Sequence, residues 1–169
     1  MFLKAVKLIN NSITACRMTL LIPEKLYTQI LEHVPIPCID FVLYHQGKVL
    51  LTYRTEEPAK GLWWIQGGRI FKHENFSETL QRLAQREIGS EIKVLRQIGA
   101  YEFHSEKAKA GVTTGTHDVA IVFLAVPIND HFAISLDKTH SQHRWIDRIE
   151  EGLHPYIKQA LKDSGVFGR

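Results

Sequence analysis

The stretch Gly67–Gly89, GGRIFKHENFSETLQRLAQREIG, decides how this chain folds. Its two leading glycines let the backbone approach a ligand or another chain segment closely, although a lone Gly-Gly also makes an ordinary turn. Residues 75–88 then carry Leu80, Leu83, Ala84 and Ile88 on one helical stripe. Asn75 or Ser77 is placed to cap that helix, Asn75 and Glu78 have capping-box spacing, and Gly89 is a suitable stop. Glu87 borders the apolar stripe, three and four residues from Ala84 and Leu83. A carboxylate there is costly unless it is salt-bridged, for instance to Arg82, or bound to a cation. Arg82-Leu83 and Arg86-Glu87 stand where acidic pairs would make an obvious metal site.

Outward from this stretch, 23–34 reads as a short amphipathic helix, with Pro23 at its start and Pro35 and Pro37 beyond its end. Residues 38–55 read as a β-hairpin turning at 45–48, and 61–68 as a short strand entering the glycine loop. Residues 93–104 and 117–128 are strand-like, with the polar loop 105–116 between them; 143–146 is a short strand and 154–165 a C-terminal helix. Strands on both sides of an isolated central helix predict an α/β (α+β) domain, a mixed β-sheet between helices. The 169 residues, 44% hydrophobic, suit one domain with a sizeable core. No apolar run approaches the ~20 residues that span a bilayer, so no membrane partner is expected. The net charge of +3 is too mild to imply nucleic-acid binding and is compatible with an anionic small molecule. Cys16 and Cys38 have no metal spacing; one disulfide is open on count, and a reduced cytoplasmic chain is the preferred reading. Met18 is an alternative start, which makes 1–17 an N-terminal extension and 18–169 the working domain.

The central stretch resembles the Nudix hydrolase signature: G, five residues, E, seven residues, R-E-U, one residue, E-E, one residue, G-U, with U aliphatic. Gly68, Glu74, Arg82, Glu87 and Gly89 fall at matching positions, whereas Leu83, Arg86 and Ser90 depart from it. The form R-L-x-x-x-E-x-G at 82–89 resembles the GDP-mannose mannosyl hydrolase branch, which keeps a single metal glutamate. Segments 39–43, 50–69 and 137–145 are similar to that branch in the same order, and the resemblance covers roughly residues 20–147.

This resemblance implies a Nudix-type fold and Mg²⁺-dependent hydrolysis of a GDP-sugar, GDP-mannose or GDP-glucose, to GDP and free sugar. One Mg²⁺ per site is implied, with Mn²⁺ able to replace it, and Glu87, the Gly67 carbonyl and Thr139 fall at the ligand positions. His140 falls at the general base, and Arg54 and Arg69 at arginines that assist departure of GDP. Asp40 falls at an active-site aspartate, and Glu74 at a structural partner of the helix arginine, here Arg82. A homodimer using the N-terminal segment is also implied. The branch carries a glutamine at Thr139 and a tyrosine at Asp118; His117 is a candidate to compensate for that acid beside phosphate. Trp63 and Trp64 are read as core, and Tyr101 and Phe103 remain open as a platform for a base. Two alternatives stay open: a Nudix pyrophosphohydrolase releasing NMP, and a Nudix-like binding domain without catalysis.

Overall fold

The computed structural model describes residues 22–168; the expectations about residues 1–17, Met18 and Cys16 lie outside the described residues. Helix α1 (Glu24–His33) leads into β1 (Ile36–His45) and β2 (Lys48–Arg54), followed by β3 (Trp63–Trp64) and β4 (Gln66–Arg69). Helix α2 (Phe76–Ile88), the long strands β5 (Ile92–Ser105) and β6 (Thr116–Pro127), then β7 (His140–Ile146) and α3 (Pro155–Ser164) complete the chain. The sheet runs β3-β2-β1-β6-β5, with β4 also pairing β1 and β7 pairing β2. The β1–β6 pair is parallel, and the other pairs are antiparallel.

Strand β1 is the centre of the fold and is apolar on both faces, as a strand covered on both sides must be. Ile39, Phe41 and Leu43 pack against Leu80, Leu83, Ala84 and Ile88 of α2. Ile36, Cys38 and Val42 belong to the opposite cluster, with Tyr156, Ile157, Ala160 and Leu161 of α3; Ile30 and Leu31 of α1 pack against its rim. The expected mixed sheet between helices is the fold found. Leu83, at a signature position for glutamate, is fully buried. It therefore serves the core, where a lone carboxylate would be penalised.

The helix ends follow their sequence signals. Asn75 and Glu78 form a reciprocal capping box, and Gly89 ends α2 in the left-handed conformation at φ 66°. Because Glu78 is held by the cap, Arg82 pairs bidentately with Glu74, each N–O distance being 2.7 Å. Trp64 is buried and stacks on Tyr156, with centroids 5.3 Å apart, while Trp63 turns to Tyr53 and Arg144. Phe103 is buried against Trp64, and Tyr101 packs on Tyr156 and donates to Asp163. Those two aromatic rings are therefore core and helix-docking groups and form no open base platform. The last strand starts at His140, three residues before the expected 143–146, because pairing with β2 extends to Arg54.

Candidate active site

Glu87 is 1% exposed at the end of α2 and accepts a hydrogen bond from the Gly67 amide at 3.0 Å. Burial raises its pKa, against the pull of Arg86, His140 and the Gly67 amide. The Gly67 carbonyl faces the same place. One guanidinium nitrogen, Arg86 Nη2, donates to Glu87 Oε1 in a short contact and reaches the Gly67 oxygen at 3.4 Å. The salt bridge expected for a buried Glu87 is thus made by Arg86, while Arg82 goes to Glu74. A carboxylate and a carbonyl are donors that suit a hard divalent cation, which retains waters and needs few protein ligands. The arginine nitrogen bridging them shows that the spot accommodates positive charge. Among the described residues, no group of three His, Cys, Asp or Glu side chains is arranged to hold a metal ion. An ion here would therefore complete its shell with water or substrate oxygens.

Beyond Arg86, the turn before β7 brings in Asp137, Thr139 and His140. Asp137 Oδ1 accepts hydrogen bonds from the Thr139 amide at 2.9 Å and the Thr139 hydroxyl at 2.7 Å, and lies 2.8 Å from His140 Nδ1. Burial opposes ionisation of Asp137, but these bonds outweigh it and lower its pKa. His140 is 5% exposed and its Nε2 is buried without a hydrogen-bond partner among the described residues. The imidazole is therefore fixed at one nitrogen and open at the other. Thr139 is adjacent, yet its hydroxyl turns to Asp137; no hydrogen bond joins it to Glu87 or Gly67 among the described residues.

A second polar group lies beside the first. Asp40 on β1 is the register partner of Gly67 on β4, and Tyr156 of α3 donates to Asp40 Oδ2 at 2.5 Å. A side chain at 67 would put its Cβ 1.8 Å from Asp40 Oδ1, so glycine is required for the carboxylate to lie flat on the strand. Gly67 thus contacts Asp40 through its Cα side and Glu87 through its amide. Burial pushes the Asp40 pKa up to about 7, with Glu87 and Asp118 reinforcing it and Tyr156 and Arg54 opposing it. Asp118 on β6 is pushed up to about 6 by burial, opposed by Arg54.

Arg54 is the register partner of His140, which joins the two groups, and its Nε is buried without a partner among the described residues. Arg69 lies over two aromatic rings, 4.2 Å from the centroid of Tyr27 of α1 and 5.0 Å from that of Phe71, with Nη1 similarly open. The fold therefore gathers Asp40, Arg54, Gly67, Glu87 and His140 around β4 and the ends of β2 and β7, with Arg69 at the margin. His117 is not part of this gathering. It alternates with Asp118 along β6 and stacks on His104, its register partner, at 4.1 Å. It lines a separate groove with Leu31, His33 and Pro35. Sequence reasoning passed over Asp137, Tyr156, Tyr27 and the position of Arg86. Of these, only Asp137, three residues before His140, had a local signal.

Comparison with known proteins agrees with this architecture. The family model described as NUDIX domain matches residues 35–163. The low-salt glycan biosynthesis protein Agl8 of Haloferax volcanii is 32% identical over 147 residues, covering 87% of this chain and 93% of the relative. A NUDIX hydrolase from Nitrosomonas europaea superposes with a TM-score of 0.64 at 17% identity, over 80% of this chain and 92% of that one. The NUDIX domain of Shewanella oneidensis NrtR, solved with ADP ribose, superposes with a TM-score of 0.59 at 22% identity, over 85% and 97%. At such identities the solved structures speak for the fold alone. The family match spans most of the described chain, and its helix, glycine loop and β7 carry the site: the chain belongs to the NUDIX domain family.

Proposed function

We propose that this protein hydrolyses a GDP-sugar, GDP-mannose or GDP-glucose, to GDP and the free sugar by attack of water at sugar C1, with Mg²⁺ required. The observation that carries this reading is His140, locked through Nδ1 to Asp137 at 2.8 Å with a buried, open Nε2. Such an imidazole is oriented to take one proton at one atom. The water oxygen bonds to C1 while the bond from C1 to the diphosphate oxygen breaks, and its electron pair leaves with GDP. The water proton passes to His140 Nε2. Attack opposite the leaving group inverts the anomeric centre, with oxocarbenium character developing as in glycoside hydrolysis.

The diphosphate needs positive charge held in place. Arg54 and Arg69 supply it from elements of the fold, Arg69 resting against the rings of Tyr27 and Phe71 and Arg54 anchored on β2. Mg²⁺ bound by Glu87 and the Gly67 carbonyl would add charge neutralisation at the departing phosphate. Thr139, expected as a further ligand, supports Asp137 and His140 through its hydroxyl. Asp40, its pKa pushed up to about 7 by burial, positions the Gly67 strand against α3 and carries only part of a negative charge near neutral pH. The Haloferax relative's part in glycan biosynthesis is in keeping with a sugar-bearing substrate. A homodimer through α1 is part of the proposal, supported by Leu26, 48% exposed on that helix; light scattering on the purified chain measures it.

The test is turnover of a panel of nucleotide sugars with Mg²⁺ in ¹⁸O-labelled water. Label in the sugar and release of GDP support the reaction. Label in a phosphate with release of NMP overturns it in favour of pyrophosphate hydrolysis. A second reading, a binding domain without catalysis, draws on Arg86 filling the place between Glu87 and Gly67. Turnover of any member of the panel excludes it.

A further inference from the structure

Adjacent helix positions point about 100° apart and do not face each other. Arg86 nevertheless turns back to contact its neighbour Glu87, and the same nitrogen reaches the Gly67 carbonyl at 3.4 Å. The glycine loop is shaped around that guanidinium: a Cβ at Gly68 would lie 3.2 Å from Arg86 Nη2. The stem of Arg86 is accessible, its side chain being 45% exposed while Glu87 is 1% exposed. A second acid stands beside it, with Asp137 Oδ2 3.8 Å from Arg86 Nε. Asp137 Oδ1 is engaged by Thr139 and His140, so Oδ2 is the oxygen turned to the arginine.

We propose that Arg86 is an internal counter-cation that occupies the place between Glu87 and the Gly67 carbonyl, and that a divalent ion enters by displacing it toward Asp137. The inference rests on the reading of Glu87 and Gly67 as the ion's ligands. A buried carboxylate is costly without positive charge, so the folded chain carries its own. An arriving ion must break a charge-assisted hydrogen bond before it gains Glu87, and this lowers its apparent affinity. A side chain anchored on an exposed stem swings out without disturbing Leu83 or Ile88 below it. Arg86 thereby sets the ion concentration at which the site fills, and Asp137 keeps the displaced charge near His140.

The experiment titrates the full chain with Mn²⁺ alone, following free ion by electron paramagnetic resonance, for wild type and for R86A, R86Q, R86K and E87Q. R86A and R86Q are expected to bind Mn²⁺ at least about tenfold more tightly than wild type, the order of one charge-assisted hydrogen bond. R86K, which keeps the charge, stays nearer wild type, and E87Q loses the site. Thermal melts give a second readout: Mn²⁺ should raise the melting temperature of R86Q more than that of wild type. Wild-type or weaker Mn²⁺ affinity in both R86A and R86Q, with E87Q still abolishing binding, overturns the role of Arg86 while leaving the ligand assignment intact. Undiminished binding in E87Q overturns the ligand assignment and the inference together.

Discussion

Replacing Asp40 by Asn removes a charge while keeping the shape and the acceptor for Tyr156. Asp40 is buried with its pKa raised from 3.8 to about 7, and its neighbours are the Tyr156 hydroxyl, the carboxylates of Glu87 and Asp118, and Arg54. A raised carboxyl pKa means that the folded protein holds a proton the unfolded chain has released. Stability is then lost as pH rises from the unfolded toward the folded value. With the folded pKa about 7, at about pH 5 the mismatch amounts to roughly one pKa unit, and by about pH 8 to roughly three. At about 1.4 kcal/mol per unit, the wild type loses about 2–3 kcal/mol through this group over that interval, and D40N does not. Urea unfolding at both pH values, in chelator so that no cation neutralises the site, measures the difference in midpoint and slope. D40N should gain on wild type by that amount from the lower to the higher pH. An identical stability difference at the two pH values refutes the assignment of a proton to Asp40.

Three further outcomes are expected. His140→Gln, which keeps a polar side chain without a titrating nitrogen, should lower kcat about 10²–10⁴-fold with little change in KM, measured by GDP release from the turned-over sugar. Leu83→Glu, which restores the signature glutamate, should destabilise the fold by at least about 3 kcal/mol in urea unfolding, because position 83 is fully buried among apolar groups. Gly67→Ala drives a Cβ into Asp40, so it should cost about 2–4 kcal/mol, and D40A/G67A should recover part of that loss; additive effects of the two changes would refute the contact.

Local signals were the legible ones. The Asn75–Glu78 cap, Gly89, the apolar stripe of α2 and the hairpin at 38–55 depend on residues close in sequence, and each forms as its pattern dictates. Glu87 was readable as a buried acid needing a partner, since the stripe fixes its side of the helix. The partner is less legible: neither Arg82, five residues before Glu87, nor the adjacent Arg86 stands at a facing helical spacing, and it is the tertiary arrangement at the glycine loop that brings Arg86 to Glu87 and the Gly67 carbonyl. His117 is adjacent to Asp118 in the sequence, which makes it a candidate to compensate for that acid; a strand sends neighbours to opposite faces, and His117 lies against His104 instead. Tyr156 had no local signal at all, since nothing near it in the chain indicates an acid on β1.

That last contact has a consequence for how the protein is made. The Tyr156–Asp40 hydrogen bond spans 116 positions, and Trp64 and Phe103 also close onto the same tyrosine ring. A nascent chain at the ribosome therefore carries β1, the glycine loop and α2 into solution long before their last wall exists. Until α3 emerges, Trp64 lacks its stacking partner and the central strand keeps one face unsealed. Closure is a late, long-range event, of the kind that slows folding and exposes apolar surface in the interval. Binding competence and resistance to proteases should then appear together, once α3 is free to dock.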